Sequence, residues 1–228
     1  MSTAILISTY RRPNMLRGLL ENIKKTVDIN INPVFVMYND DDELTRPEEF
    51  DSAEFVLCDG NIGLRDAINK GLDRAFKENT DFITYLQDDV ILRDGWLEDC
   101  IIAWNEYKDI YKVGLITGHE APEHPAHLLF DGMRLQKTCR ATHLFASTER
   151  WKEFGFMPKV TEEPAPRNGR GSLEDWWLCG HPQMKYPESE KSLRKKDENV
   201  LCLPGRVIHA APTNSTWGIS NPEWWYVQ

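Results

Sequence analysis

Short apolar runs alternate with amphipathic stretches through the first half of the chain. The runs lie at residues 4–8, 34–37, 55–58, 82–86 and 113–116, and each has the length of a buried strand. Between them, apolar side chains recur at helical spacing after Pro13, over residues 62–77 and over residues 96–107. Strands and helices that alternate at this interval predict an α/β fold with a mainly parallel sheet flanked by helices.

The second half of the chain has a different pattern. Residues 128–134 and 139–146 predict two strands, and residues 148–154 a short helix that ends at Gly155. Residues 160–172 are rich in Pro, Gly and charge and predict a loop, with a short helix over 173–179 and two more strands at 200–203 and 206–209. Neither an internal repeat nor a long linker divides the chain, so we expect one domain over residues 1–228.

Composition and charge narrow the class of protein. Hydrophobic residues make up 41 % of the chain, which excludes the disordered class. The net charge of −9 disfavours a general nucleic-acid binder, although residues 167–170 and 191–196 are basic. The first residues read as a strand rather than a signal peptide, and no apolar run is long enough to cross a bilayer. Five scattered cysteines without a Cys-x-x-Cys pair favour reduced thiols in a cytoplasmic protein.

Polar residues follow three of the predicted strands at the point where each strand ends. They are Ser8-Thr9-Tyr10, Asn39-Asp40 and Gln87-Asp88-Asp89. Because ligands of parallel sheets bind beyond the carboxyl ends of the strands, we expect these residues to converge on one crevice. The adjacent aspartates offer hard oxygen ligands of the kind that Mg²⁺ and Mn²⁺ prefer. The alternative is an Asp-rich turn that caps the helix beginning near Gly95.

Two further sites carry candidate chemistry. Glu174-Asp175 stands at the start of a short predicted helix, where a carboxylate beside Trp176 and Trp177 could act as a general base. The alternative is an ordinary carboxylate that interacts with the helix dipole. His209 follows an apolar run and is either a structural residue or a metal ligand that acts together with Asp89.

Residues 61–71 lack both a phosphate-binding Gly-x-x-x-x-Gly-Lys loop and a dinucleotide fingerprint. In this segment Gly63 would let the backbone approach a ligand, and Arg65 would face a phosphate or a base.

The ordered set of motifs resembles the GT-A glycosyltransferases of the family 2 type. Residues 5–13 are similar to that family's opening strand and nucleotide loop, and Asn61 to Leu72 to its Asn-x-Gly helix. Residues 86–90, followed by 94–97, are similar to its metal-binding Asp strand. Residues 145–155, 173–176 and His209 resemble its short helix, its Glu-Asp base motif and a late metal-binding His. The resemblance implies a Rossmann-like GT-A fold with a smaller antiparallel portion on the acceptor side.

The resemblance also implies a nucleotide-binding half over residues 1–118. Its implied nucleotide contacts are Thr9, Tyr10 and Arg12, with Asn39 or Asp40, around the base, together with Gly63 and Arg65. Asp88 would contact the ribose or the donor sugar, and Asp89 would bind Mn²⁺ or Mg²⁺ with His209. Gln87 stands where many relatives carry an Asp, so the nucleotide contacts at that position differ from the family pattern.

The implied acceptor-binding and catalytic half covers residues 119–228. Asp175 would be the general base, and Glu174 would hold the acceptor. The expected reaction is an inverting transfer of a sugar from a nucleoside-diphosphate sugar, UDP-linked, to a hydroxyl of a glycan or glycolipid. The alternatives are transfer to a modified DNA base, and a non-catalytic nucleotide- or sugar-binding module of the same fold. A nucleotidyltransferase is disfavoured because a Gly-rich activation loop does not follow the first strand.

Overall fold

The computed structural model describes residues 1–39, 53–58, 60–119, 126–157, 178–179 and 191–209, the last residue by its backbone alone. The strands are β1 (Thr3–Thr9), β2 (Val34–Tyr38), β3 (Ala53–Leu57), β4 (Phe82–Gln87), β5 (Val90–Leu92), β6 (Val113–Thr117), β7 (Ala126–Leu128), β8 (Arg134–Gln136), β9 (His143–Ser147), β10 (Asn199–Cys202) and β11 (Val207–His209). The helices are α1 (Pro13–Thr26), α2 (Gly63–Ala75), α3 (Trp96–Tyr107) and α4 (Thr148–Phe154).

A nine-stranded sheet runs through the described part of the chain in the order β3-β2-β1-β4-β9-β6-β10-β8-β7. The strands β3, β2, β1 and β4 are parallel, and β9 joins them antiparallel between β4 and β6. The predicted mainly parallel sheet with an antiparallel portion is therefore confirmed. Because β9 and β10 lie inside the same sheet as β6, both halves of the chain share one sheet, while the functional division at residue 118 stays a prediction.

The helices form where the apolar periodicity predicts them. Pro13 occupies the first turn of α1, where its missing N–H is not needed, and the apolar face of α1 is buried. Helix α3 has the predicted bounds, and Gly95 before it takes the left-handed φ of 74°. Gly71 of α2 lies so close to the sheet that an added Cβ would stand 2.7 Å from Cε of Met37. Glycine at this position lets α2 pack directly on β1 and β2.

The prediction of one strand over residues 128–134 is wrong. The chain reverses there through a single helical turn, Phe130–Gly132, which separates β7 from the antiparallel β8. Asp131 and Gly132 both have positive φ, at 52° and 76°. Asp-Gly is a pair that tolerates this conformation, and it makes a tight reversal possible inside an otherwise strand-like sequence.

The strand predicted at 206–209 is β11, whereas β5 and the small sheet that these two strands form were not predicted from the sequence. These two three-residue strands pair antiparallel, with Val207 opposite Leu92 and His209 opposite Val90. Residues that are far apart in sequence are thereby joined just beyond the end of β4. The segment that ends at His209 is thus brought next to the Asp88-Asp89 turn.

Cys58, Cys100, Cys139, Cys179 and Cys202 are all buried thiols. The sulfur atoms of Cys139 and Cys179 are 3.7 Å apart, and the backbone N–H of Leu193 donates to the carbonyl of Leu178 at 2.9 Å. The two residues 178–179 are thereby joined to the segments that flank β9 and β10. Among the residues described, no helix has the length and apolar character that crossing a membrane requires.

Candidate active site

The site begins where β1 and β4 end side by side in the sheet. Ser8 of β1 pairs in register with Gln87 of β4, so the residues that follow each strand emerge next to each other. The order of the strands reverses at this point: β2 and β3 lie on one side of β1, and β4 lies on the other side. Such a switch point leaves a crevice at the carboxyl ends of the strands. The hydroxyl of Thr9 donates to Oδ2 of Asp88 at 2.7 Å and ties the two strand ends together.

Asp88 and Asp89 form the turn between β4 and β5, and neither is exposed to solvent. The alternative that these aspartates cap α3 does not hold. Strand β5 intervenes, and the residue at the helix start is Gly95, without a side-chain cap. Two adjacent buried carboxylates are costly unless cations or hydrogen-bond donors face them, so their surroundings decide what the turn can do.

Arg12 supplies the cation. Its Nη1 donates to Oδ2 of Asp89 at 2.9 Å, and its Nη2 forms an ion pair with Oδ1 of Asp88. One guanidinium therefore bridges both carboxylates. The side chain of Arg12 is 18 % exposed whereas those of the aspartates are at most 1 % exposed, so Arg12 lies on the solvent side of the trio. The expectation placed Arg12 at a nucleotide base; in this structure its guanidinium faces the carboxylates.

The electrostatics of the trio follow from burial. Burial raises the pKa of Asp88 to about 7, although Arg12 and the Thr9 hydroxyl oppose the rise by stabilising the carboxylate. Burial also disfavours the charge on Arg12, but the two carboxylates outweigh it and raise the pKa of the guanidinium. The arrangement is a buried anionic site with one positive charge at its mouth.

Asn39 connects the end of β2 to the start of α2. Its Oδ1 accepts from the backbone N–H of Ile62 at 2.7 Å, and its Nδ2 donates to Oδ1 of Asn61 at 2.9 Å. The same Asn61 oxygen accepts from the N–H of Gly63 at 3.1 Å. Gly63 has a φ of 81° and open space where a Cβ would stand, and it is exposed, so the backbone of this loop is open to close approach. Asn39 thus shapes the loop in which nucleotide contacts were predicted.

Two of the predicted nucleotide-binding residues contact their own neighbours. Both Nε and Nη2 of Arg65 donate to the carboxylate of Asp66 at 2.8 Å. The ring of Tyr10 is half-buried, and the guanidinium of Arg11 lies 5.2 Å from its centroid. Tyr10 follows Thr9 directly and remains at the crevice, whereas Arg65 points to the first turn of α2.

The metal prediction depends on Asp89 and His209. The pairing of β11 with β5 sets the backbone of His209 opposite Val90, the residue next to Asp89. A carboxylate and an imidazole are ligands that suit Mn²⁺, so the donor set fits the expected metal. Within the described residues no group of three or more His, Cys, Asp or Glu side chains could hold a metal ion. The remaining ligands of such a site would therefore come from phosphate oxygens and water.

Three of the predicted site residues, Asp40, Glu174 and Asp175, lie outside the described residues, as do the loop at 160–172 and most of the helix at 173–179. The last described residue before this part of the chain, Met157, is held by two hydrogen bonds to Asn69. The side-chain amide of Asn69 donates to the carbonyl of Met157 and accepts from its N–H, both at 2.9 Å. In the sequence, Asn69 belongs to the Asn-x-Gly helix motif. It fixes the chain just before the segment that carries Glu174 and Asp175.

His143 is a buried histidine that the sequence analysis did not single out. The N–H of Gly118 donates to its Nδ1 at 2.7 Å, so Nε2 carries the proton of the neutral ring. Nε2 then donates to the hydroxyl of Thr84 at 3.1 Å, and that hydroxyl donates to the carbonyl of Leu144 at 3.3 Å. Burial lowers the pKa of His143 to about 3, with a smaller contribution from His119. His143 is a neutral structural residue that links β4, β6 and β9.

The structure resembles solved transferases at low sequence identity. GalNAc-T7 with UDP, GalNAc and Mn²⁺ superposes with a TM-score of 0.62 and 11 % identity, over 99 % of this chain and 46 % of that one. Mannosyltransferase PcManGT from Pyrobaculum calidifontis, in complex with GDP-Man and Mn²⁺, superposes with a TM-score of 0.52 and 12 % identity. The match covers 68 % of this chain and 47 % of that one. Mannose-1-phosphate geranyltransferase from Thermus thermophilus superposes with a TM-score of 0.53 and 12 % identity, over 91 % of this chain and 75 % of that one. The chain thus spans less than half of GalNAc-T7 and of PcManGT, and the likeness shows a shared fold.

No curated protein matches the chain in sequence. The model of the family described as glycosyl transferase family 2 matches residues 4–148, which is more than half of the 228 residues. The matched range includes Thr9, Arg12 and the Asp88-Asp89 turn, and it ends before Glu174 and Asp175. The GT-A fold and the family predicted from the ordered motifs are confirmed, and the chain belongs to glycosyl transferase family 2.

Proposed function

We propose that this protein is a metal-dependent inverting glycosyltransferase that uses a nucleoside-diphosphate sugar. The observation that carries the proposal is the buried Asp88-Asp89 turn at the switch point, tied to β1 by Thr9. A fold that served stability alone would gain little from two adjacent carboxylates at this position. Their placement at the carboxyl end of a parallel sheet suits a ligand that brings a cation and phosphates.

In this proposal the first half of the chain binds the donor. Tyr10 and the loop shaped by Asn39 face the nucleotide, and Asp88 accepts a hydrogen bond from a ribose or sugar hydroxyl. Gly63 leaves the backbone open to close approach. The ligands named for the structural neighbours, GDP-Man for PcManGT and UDP with GalNAc for GalNAc-T7, support a nucleotide sugar as a class. We propose UDP as the nucleotide.

Asp89 and His209 are the proposed ligands of Mn²⁺ or Mg²⁺. Both PcManGT and GalNAc-T7 are structures with Mn²⁺. The chemistry that such an ion supplies is stabilisation of the negative charge that grows on the leaving diphosphate. The contribution of the chain is to hold a carboxylate in a buried turn and to bring the backbone of His209 next to it through the β5–β11 pairing.

Asp175 is the proposed general base, and Glu174 the proposed contact of the acceptor. Removal of a proton from the acceptor hydroxyl by a positioned carboxylate allows attack from the face opposite the leaving group, which inverts the anomeric carbon. A positioned base contributes typically about 10²–10⁴-fold in rate. We propose a glycan or glycolipid hydroxyl as the acceptor. A cytoplasmic location is also a proposal, supported by the five buried thiols.

A nucleotide-release assay with a panel of nucleotide sugars tests the proposal. Wild-type protein should release nucleotide from one donor with Mn²⁺ and not with EDTA. Asp89→Asn should lose that release, because the amide keeps the shape of the side chain and removes the charge. Asp73→Asn is the matched control, since Asp73 is an exposed carboxylate paired with Lys77. Mn²⁺-dependent release that persists in Asp89→Asn, or no release from any donor, contradicts the proposal.

A further inference from the structure

Arg12 holds the two carboxylates to which the proposed function assigns the metal. Its Nη1 contacts Asp89 at 2.9 Å, and its Nη2 pairs with Asp88. A divalent cation that binds Oδ2 of Asp89 needs the oxygen to which Nη1 of Arg12 donates. Arg12 is also the member of the trio that reaches solvent, because its side chain is 18 % exposed and those of the aspartates are at most 1 % exposed. A cation that arrives from solvent therefore meets the guanidinium first.

We propose that Arg12 is a resident counter-ion that competes with a divalent cation for Asp88 and Asp89. The inference rests on the proposed function, because it concerns the metal site of that function. In the metal-free protein the guanidinium offsets the cost of burying two carboxylates. A metal that binds through Oδ2 of Asp89 would replace the contact of Arg12 with that oxygen. Arg12 is thus a positioning residue that weakens metal binding and keeps the carboxylates in place until a metal arrives.

The backbone before Arg12 is consistent with a fixed role for its side chain. Arg11 has a φ of 53°, in the left-handed region that non-glycine residues seldom adopt. This turn separates the two arginines. The guanidinium of Arg11 lies against the ring of Tyr10, and the guanidinium of Arg12 lies against the carboxylates. Two adjacent residues with the same charge therefore have different partners, which makes Arg11 a matched control.

A divalent cation also balances the charge of the two carboxylates better than Arg12 does. One guanidinium contributes one positive charge to a site with two carboxylates, so the trio keeps a net negative charge when both are ionised. Burial penalises that residual charge. A divalent cation balances both carboxylates at once, which favours the exchange. The Asp88 contact with Thr9 does not involve Arg12 and keeps the turn attached to β1 during the exchange.

Titration of Mn²⁺, with the free ion followed by electron paramagnetic resonance and without nucleotide, tests the proposal on the full chain. Arg12→Met removes the charge and keeps an unbranched side chain, and Arg11→Met removes the same formal charge next to it. We expect Arg12→Met to bind Mn²⁺ about 10–100-fold more tightly than Arg11→Met and wild type, the range over which residues around metal ligands alter affinity. The Mn²⁺ affinity of Arg12→Lys should lie between those of wild type and Arg12→Met, because one ammonium cannot bridge both carboxylates as a guanidinium does.

Thermal unfolding gives a readout that does not depend on the affinity measurement. In EDTA, Arg12→Met should unfold at a lower temperature than Arg11→Met, because two buried carboxylates lose their cation. Saturating Mn²⁺ should raise the unfolding temperature of Arg12→Met more than that of the control, since tighter binding of a ligand stabilises the folded state more. If Arg12→Met is too unstable to titrate, Arg12→Lys carries the same comparison.

Two outcomes overturn the inference and are distinguishable. If all variants bind Mn²⁺ with equal affinity, or if Arg12→Met binds it more weakly, Arg12 does not compete, and the proposed metal site stands. If neither wild type nor any variant binds Mn²⁺, even with a nucleoside diphosphate present, the metal-dependent function falls together with the inference.

Discussion

Replacing His143 with asparagine should change how the stability of the protein depends on pH. The N–H of Gly118 donates to Nδ1 of His143 at 2.7 Å, and the oxygen of asparagine at this position can accept the same bond. Protonation of the ring would put a second hydrogen in that contact and a charge in the core. Burial therefore lowers the pKa of His143 from 6.5 to about 3. The variant keeps the acceptor and has no proton to gain.

The sign and size of the effect follow from linkage. Above pH 6.5 the ring is neutral in both states, and the stability that comes from keeping it neutral is fully present. As the pH falls towards 3, the unfolded chain takes up a proton that the folded chain refuses, so stability is lost. At pH 5 this difference in proton uptake raises the equilibrium constant for unfolding by a factor of about 30 relative to high pH, which corresponds to about 2 kcal/mol. The contribution of His143 to the stability of wild type therefore falls by this amount between pH 8 and pH 5, and His143→Asn has no such contribution to lose.

Asp88 makes the comparison with a variant necessary. Its pKa is raised by burial to about 7, so the folded state holds this proton more tightly than the unfolded state does. Its contribution is present at low pH and is lost as the pH rises through 7, opposite in direction to that of His143. The pH dependence of wild type alone is therefore a mixture, and only the difference between wild type and variant isolates His143.

Urea unfolding at pH 8, 6.5 and 5 measures that difference. His143→Asn should be less stable than wild type at pH 8, by roughly 1–3 kcal/mol for a buried polar substitution. The gap should shrink by about 2 kcal/mol at pH 5. His127→Asn, on the exposed strand β7, is the control. Its difference from wild type in unfolding free energy should be the same at all three pH values. A gap for His143→Asn that is equal at all three pH values would refute the reasoning, because it would mean that His143 titrates alike in both states.

Three further predictions concern the site. His209→Ala should raise the Mn²⁺ concentration needed for nucleotide release by about 10–100-fold, and overlapping metal titrations would make His209 structural. Asp175→Asn should bind donor normally and lose about 10²–10⁴-fold in transfer rate, whereas Glu174→Gln should mainly weaken acceptor binding; the reverse result exchanges the two roles. Thr9→Val removes the 2.7 Å bond to Asp88 and should cost about 1–3 kcal/mol in unfolding free energy and weaken donor binding. Stability and donor affinity equal to wild type would make that bond dispensable.

Local pattern was sufficient to predict the elements that bury an apolar face over several turns or residues. Helix α3 has the bounds predicted from its periodicity, and the apolar face predicted after Pro13 is the face that α1 buries. Parallel strands that end in polar residues were enough to predict that Thr9 and Asp88 lie at one crevice, and the structure adds the hydrogen bond between them. These features depend on periods of about 3.6 and 2 residues, which a single sequence displays directly.

The features that were missed depend on contacts between distant residues. Strand β5 has three residues, too short for a periodic signal. Strand β11 was predicted from its apolar run, but its pairing with β5 joins residues far apart in sequence and left no local pattern. Asp89 lies 77 residues after Arg12, so their contact leaves no local pattern in the sequence. His143 lies in a strand-like run, where one polar residue gives no sign of the hydrogen bonds that hold it neutral.

The trio of Arg12, Asp88 and Asp89 is the strongest physical argument that this crevice binds a ligand. A buried ion pair is often no more stabilising than apolar side chains of similar volume, because desolvation of the charges offsets their attraction. The neighbouring strands show that apolar packing is possible here: Ile7 and Leu86, just before the strand ends, are fully buried. An apolar replacement of the whole trio should therefore fold at least as well as wild type while losing Mn²⁺ binding, whereas loss of Arg12 alone should destabilise. Measured together, unfolding free energy and Mn²⁺ affinity separate a site kept for stability from one kept for binding. A triple apolar variant that is strongly destabilised would assign the trio to the fold rather than to the ligand.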